Sequence, residues 1–172
     1  MKQKLINFFA SGAYISYLPT AILKNKKNTG AGLLGSLEAF LIYIFFAPSS
    51  FWAYLFFLIG LLCFSVYIAQ KANFEGAEDN PKIVIDEIAG FFVSTAFLPY
   101  SFSTALCALV LFRFFDSTKI LFIKKAESFA NQFPPATREK YCLKGVEIVL
   151  DDVIAGFYSN LILWILVFCK IL

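Results

Sequence analysis

The sequence predicts an all-α, polytopic integral membrane helical bundle, and three observations lead there. Of the 172 residues, 59% are hydrophobic and 19% aromatic, while only 16% are charged; a soluble domain runs at about 45–50% apolar and about 25% charged. Phe alone accounts for 22 residues, more than a soluble core of this length can hide, whereas a bilayer lets apolar side chains face lipid. The apolar residues also fall into runs divided by short Pro/Ser turns or polar loops, and residues 51–69 carry no charge at all. One bundle, a single domain over residues 1–172, suits this length.

Taken in order, Met1-Lys2-Gln3-Lys4 and the apolar residues 5–10 open like a signal peptide. Asn7 interrupts the stretch, and Tyr14, Tyr17 and Pro19 stand where a cleavage region would need small residues. Residues 5–22 therefore read as an N-terminal interfacial or re-entrant helix. About five short spans follow: 33–47, stopped by Pro48-Ser49-Ser50; 51–69; 83–98, ending at Pro99-Tyr100; 102–115; and 146–168. The polar connection 116–145 contains Pro134-Pro135, and residues 120–129 read as an amphipathic helix.

Orientation follows from Lys and Arg. Lys2, Lys4, Lys24, Lys26 and Lys27 precede the first span, and Lys71 and Lys82 lie between the second and third. Lys119, Lys124, Lys125, Arg138, Lys140 and Lys144 lie between the fourth and fifth, whereas the opposite connections are uncharged and only Lys170 falls on their side. The N-terminus and the long loops are thus expected in the cytoplasm.

Composition also narrows the chemistry. The chain has no His, which removes Ser-His-Asp and Cys-His hydrolases and His-based zinc motifs together. Cys63, Cys107, Cys142 and Cys169 form no C-x-x-C pair; three of them lie in apolar runs, and they read as inert thiols. Cys107 and Arg113 match the C-x5-R spacing of cysteine phosphatases, but the residues between them are continuous apolar helix without a phosphate-cradling loop. Basic residues flank apolar segments instead of interleaving with aromatics, so no nucleic-acid partner is expected.

The acids are more telling. Asp86 and Glu87 open the third span, Asp116 closes the fourth, and Asp151 and Asp152 lie early in the fifth. On the predicted topology all five fall within roughly 10 Å of the cytoplasmic surface, at about 1.5 Å per residue. Each ionised carboxylate inside a span costs up to about 2.5–3.5 kcal/mol, and adjacent pairs repel. A divalent cation offsets that cost, and an all-oxygen ligand set favours Mg²⁺ or Mn²⁺ over Zn²⁺. The competing reading is ion passage, or pairing with bases such as Arg113 with Asp116 at i,i+3. Glu38 in the first span could also turn toward the cluster. Small residues follow each acidic pair, in Ile-Asp-Glu-Ile-Ala-Gly-Phe ending at Phe91 and Leu-Asp-Asp-Val-Ile-Ala-Gly-Phe ending at Phe157, as close helix approach requires.

At these residues the chain resembles the phosphatidylglycerophosphatase A family of membrane enzymes. Four ordered blocks carry the resemblance: Gly32-Leu33-Leu34-Gly35-Ser36-Leu37; Ile83-Val84-Ile85-Asp86-Glu87-Ile88-Ala89-Gly90; Phe112-Arg113-Phe114-Phe115-Asp116-Ser117-Thr118-Lys119; and the stretch 145–156 around Asp151 and Asp152. The resemblance implies Mg²⁺-dependent hydrolysis of phosphatidylglycerophosphate, a phospholipid substrate drawn from the bilayer, to phosphatidylglycerol and phosphate. It implies catalytic Asp86, Glu87, Asp116, Lys119, Asp151 and Asp152, with the five acids holding one or two Mg²⁺ and Arg113 and Lys119 neutralising the phosphate. The nucleophile is either water or a carboxylate. The expected place is the bacterial cytoplasmic (inner) membrane, with the site toward the cytoplasm. The chain departs from the family pattern in having Ala31-Gly32-Leu33 for Pro-Gly-Thr, Ile120-Leu121-Phe122 for Pro-x-Pro, and Glu147 for Gly; Glu147, one turn before Asp151, is a candidate extra ligand. The alternative function is a small cation transporter or channel using intramembrane carboxylates, which leaves Arg113 and Lys119 unexplained. A lipid-phosphate transferase would space its aspartates D-x-x-D and D-x-x-x-D, a pattern absent here.

Overall fold

The structure, a computed structural model, describes residues 2–23, 30–74, 82–118 and 132–172. Every regular element among them is helical: α1 Lys2–Ala10, a 3-10 turn Ile15–Tyr17, α2 Leu18–Leu23, α3 Ala31–Phe46, α4 Phe51–Lys71, α5 Ile85–Ser94, α6 Phe102–Thr118, α7 Pro135–Lys140 and α8 Leu143–Phe168. The expected amphipathic helix at 120–129 and Lys119 lie outside the described residues.

Capping chemistry explains the clearest boundaries. Ser50 Oγ accepts from the Ala53 amide at 3.2 Å to start α4, and Ser101 Oγ accepts from the Thr104 amide at 3.0 Å to start α6. Helices α4 (21 residues) and α8 (26 residues) are long and apolar enough to cross a membrane. Only 22% and 33% of their apolar windows are buried inside the protein, so most of each apolar surface faces outward. Phe45, Phe46, Trp52, Phe56 and Phe168 are among the aromatic side chains turned outward. Helix α3 is apolar but shorter, at 16 residues.

Two expectations need correction. Residues 5–22 do not form one helix: the chain reverses after α1, with Gly12, Ala13 and Tyr14 at φ 55°, 48° and 69°. Left-handed backbone is costly at Ala13 and Tyr14, and local bonds hold it. Ser11 Oγ donates to the Asn7 carbonyl at 2.7 Å and accepts from the Tyr14 amide at 3.1 Å. The segment is also tied to the chain entering α5, because the Val84 amide donates to the Ala10 carbonyl at 2.8 Å and Ser16 Oγ donates to the Lys82 carbonyl at 2.9 Å.

The third expected span, 83–98, is helical only over the ten residues Ile85–Ser94. A helix that stops inside a bundle leaves carbonyls to satisfy, and neighbouring helices supply the donors. Asn160 Nδ2 from α8 donates to the Ser94 and Ala96 carbonyls at 3.1 and 3.0 Å, and the Tyr54 hydroxyl from α4 donates to the Phe92 carbonyl at 2.8 Å.

Helix α5 is the centre of the assembly, packed on α3, α4, α6 and most extensively α8. Its Ile88, Ala89, Gly90, Phe91 and Phe92 are all buried. The expected close approach of the two Ala-Gly pairs is present: Ala89 and Ala155 are fully buried, and the backbones of Gly90 and Gly156 face each other.

Candidate metal centre

Asp86 and Glu87 occupy the first turn of α5, where the helix dipole and unpaired amides favour negative charge. Asp86 Oδ1 accepts from the Glu87 amide at 3.1 Å. Asp152 arrives from α8, buried to 4% exposure. It lies in the third turn instead of the second, because α8 begins at Leu143 and not at the expected 146. Oxygens of Asp86, Glu87 and Asp152 all lie within 4.8 Å of one another.

Helical register explains which aspartate of the second pair joins. Gly90 follows Asp86 by four residues and Gly156 follows Asp152 by four, so each acid stands one turn from its glycine on the same face. The glycines meet, and the two acids meet with them. Asp151, one residue earlier, is rotated away by about 100° and stands outside the trio, within electrostatic range of Asp86 and Asp152. Asp116, in the last turn of α6, is not one of the three, but its side chain lies within hydrogen-bonding reach of Asp152 and within electrostatic range of Glu87.

Arg113 binds Asp116 across one helical turn, with Nη1 2.8 Å from Oδ2. Its Nη1 also donates to Ser36 Oγ on α3 at 3.3 Å. Helix α3 brings bare backbone to this place: a Cβ on Gly32 would collide with Glu87 Oε1 and stand 3.1 Å from Arg113 Nη1. Cys107 and Arg113 lie in one continuous helix, so no phosphate loop joins them.

Glu147 is partly buried in the second turn of α8 and is not among the three clustered acids. Glu38 does not reach the trio either; its buried Oε2 lies where a Cβ on Gly12 would stand and has no hydrogen-bond partner among the described residues. Sequence reasoning missed Gly32 and Ser36 as neighbours of the acids. Their i,i+4 spacing on α3 was the available signal, since it places both on one helix face.

The trio can hold a divalent cation. Its donors are carboxylate oxygens alone, the chemistry of a hard ion. Glu87 Oε2 is buried without a hydrogen-bond partner among the described residues, a costly state that a bound cation would relieve.

The family model described as Phosphatidylglycerophosphatase A matches residues 8–167. A Haemophilus influenzae protein named Phosphatidylglycerophosphatase A is 32% identical over 114 residues, 64% of this chain and 63% of the relative. A Bacteroides thetaiotaomicron protein with the provisional name phosphatidylinositol-3-phosphatase is 29% identical over 110 residues, 62% of this chain and 61% of the relative. The matched stretch therefore spans about three-fifths of the length of each curated relative. No solved structure matches. With nearly its whole length matched by the family model, and both acidic pairs inside the match, the chain belongs to the phosphatidylglycerophosphatase A family.

Proposed function

We propose that the chain is a Mg²⁺-dependent lipid phosphatase that hydrolyses phosphatidylglycerophosphate to phosphatidylglycerol and inorganic phosphate. The observation that carries this reading is the placement of Arg113 beside the Asp86–Glu87–Asp152 trio, in a chain of that family. A phosphomonoester needs both parts: carboxylates for the cation and a fixed positive group for the phosphoryl oxygens.

In this reading Asp86, Glu87 and Asp152 hold one Mg²⁺, with Asp116 and Asp151 at the rim for a second position or for water. Bound there, Mg²⁺ would supply Lewis-acid polarisation of the phosphoryl group and a lowered pKa for an attacking water. Arg113, anchored by Asp116, takes up charge on the non-bridging oxygens, and Lys119 is proposed as a second cation for the phosphate. Water attacks phosphorus in line, the ester oxygen leaves on the lipid, and a proton returns to it as the alcohol forms. The acyl chains stay between helices in a multi-pass arrangement, with α4 and α8 as the clearest crossings and the acids toward the cytoplasm.

The Bacteroides relative carries the name of a different headgroup phosphatase, so the decisive assay uses both lipids. Purified protein in detergent micelles is expected to release phosphate from phosphatidylglycerophosphate with Mg²⁺ and not with EDTA. Faster release from phosphatidylinositol 3-phosphate would reassign the substrate. Mg²⁺-driven ion flux without phosphate release would favour the transporter, a reading that the cationic Arg113 beside the acids opposes.

A further inference from the structure

Ser36 is fully buried on α3, and its hydroxyl works in both directions. It donates to the Gly32 carbonyl at 2.8 Å and accepts from Arg113 Nη1 at 3.3 Å. Donation to the i−4 carbonyl fixes the rotor, so a lone pair faces the guanidinium. The same Nη1 meets Asp116 Oδ2 at 2.8 Å. Arg113 is therefore gripped from its own helix and from α3, while Nη2 and Nε take part in neither contact. Without a side chain on Gly32, Glu87 and Arg113 share the space over the first turn of α3.

We propose that Ser36 is a positioning residue: its hydroxyl fixes Arg113 so that the remaining edge of the guanidinium meets a phosphoryl group beside the carboxylate trio. The proposal rests on the phosphatase reading above. It differs from simple helix packing, because a small buried residue that only fills space is replaced by Ala without loss. A guanidinium loses reach when its tether is cut, since a planar fork must be oriented to bind two oxygens at once.

The test is a double-mutant cycle on the full-length protein, with phosphate release measured across a Mg²⁺ titration. Ser36→Ala is expected to lower kcat/KM roughly tenfold, the scale of one hydrogen bond to a charged group, with the half-saturating Mg²⁺ concentration unchanged. In an Arg113→Ala background the same change should add no further loss, because coupled residues are not additive. A second readout needs no turnover. Inorganic phosphate should protect Arg113 from phenylglyoxal, mapped by peptide mass spectrometry, and Ser36→Ala should weaken that protection. Ser36→Ala within about twofold of the parent, or an equal loss with and without Arg113, overturns the proposal. If the parent releases no phosphate from any phospholipid, the phosphatase reading fails; equal phosphate protection in parent and Ser36→Ala would then overturn the positioning role separately.

Discussion

Gly156 of α8 lies against the carbonyl oxygen of Gly90 of α5, so closely that a Cβ on Gly156 would run into it. The reverse holds too: a Cβ on Gly90 would stand 2.7 Å from the Asp152 carbonyl oxygen and 2.6 Å from the Phe112 ring. The crossing that brings these backbones together also sets Asp86 beside Asp152. Gly156→Ala is therefore expected to lower stability by about 1–3 kcal/mol through overpacking and to weaken cation binding. Gly60, with nothing within 4 Å of a built Cβ, is the control. Gly60→Ala should leave stability unchanged or raise it by up to about 1 kcal/mol. Thermal unfolding in detergent compares the two, and a Gly156→Ala protein as stable as the parent would contradict the contact.

Removing one clustered charge should move stability and activity in opposite directions. Three carboxylates within 4.8 Å strain the metal-free protein by repulsion and desolvation. Asp152→Asn should therefore raise the melting temperature in EDTA. It should also abolish most of the additional stabilisation that Mg²⁺ gives the parent, and cut phosphate release by on the order of 10²–10³, the scale of losing a preorganised charge contact. A melting temperature that still rises with Mg²⁺ as in the parent would remove Asp152 from the ligand set.

Lys119 follows Asp116 by three residues, as Asp116 follows Arg113. If the helix continues, just under two turns carry two cations, one on each side of one acid. Lys119→Ala should then cost on the order of 10²–10³ in kcat while leaving the Mg²⁺ titration in place, because an ammonium is no metal ligand. Lys119→Arg should recover only part of the rate, since a planar fork replaces a compact point charge. Steady-state kinetics in micelles decide the matter; a kcat within a few-fold of the parent would make Lys119 a headgroup anchor outside the site.

On the proposed orientation, the Lys and Arg asymmetry would put residues 70–82 and 116–145 in the cytoplasm. Single cysteines in those loops, in a cysteine-free background, should resist a membrane-impermeant thiol reagent in intact cells and react after the cells are opened. Ready labelling of both loops in unbroken cells would invert the orientation and move the acids to the other face.

The carboxylate cluster was legible in part because its ingredients are local and costly. Carboxylates in apolar runs are rare enough to demand a reason, and Asp86, Glu87 and Asp152 do come together. What the sequence concealed was tertiary. The choice of Asp152 over Asp151 lay in its four-residue distance to Gly156, a register that gains meaning only once Gly90 is known to face Gly156. The shortness of α5 was hidden because residues 83–98 are apolar apart from Asp86, Glu87, Ser94 and Thr95, and their pattern looks like a crossing. The donors that end the helix, Asn160 and Tyr54, come from 64 and 38 residues away, counted to Ala96 and Phe92. The reversal at Gly12 was equally obscure, since its bonds run to Val84 and Lys82 across a long stretch of chain.

The ten-residue length of α5 has a consequence for where its ends lie. Ten residues rise about 15 Å, half of a hydrocarbon core about 30 Å thick, and the helix is enclosed by α3, α4, α6 and α8. If the bundle sits in a bilayer as proposed, a helix this short ends at mid-depth, walled by protein. Its last carbonyls then rely on Asn160 and Tyr54 for donors that hydrocarbon would not supply.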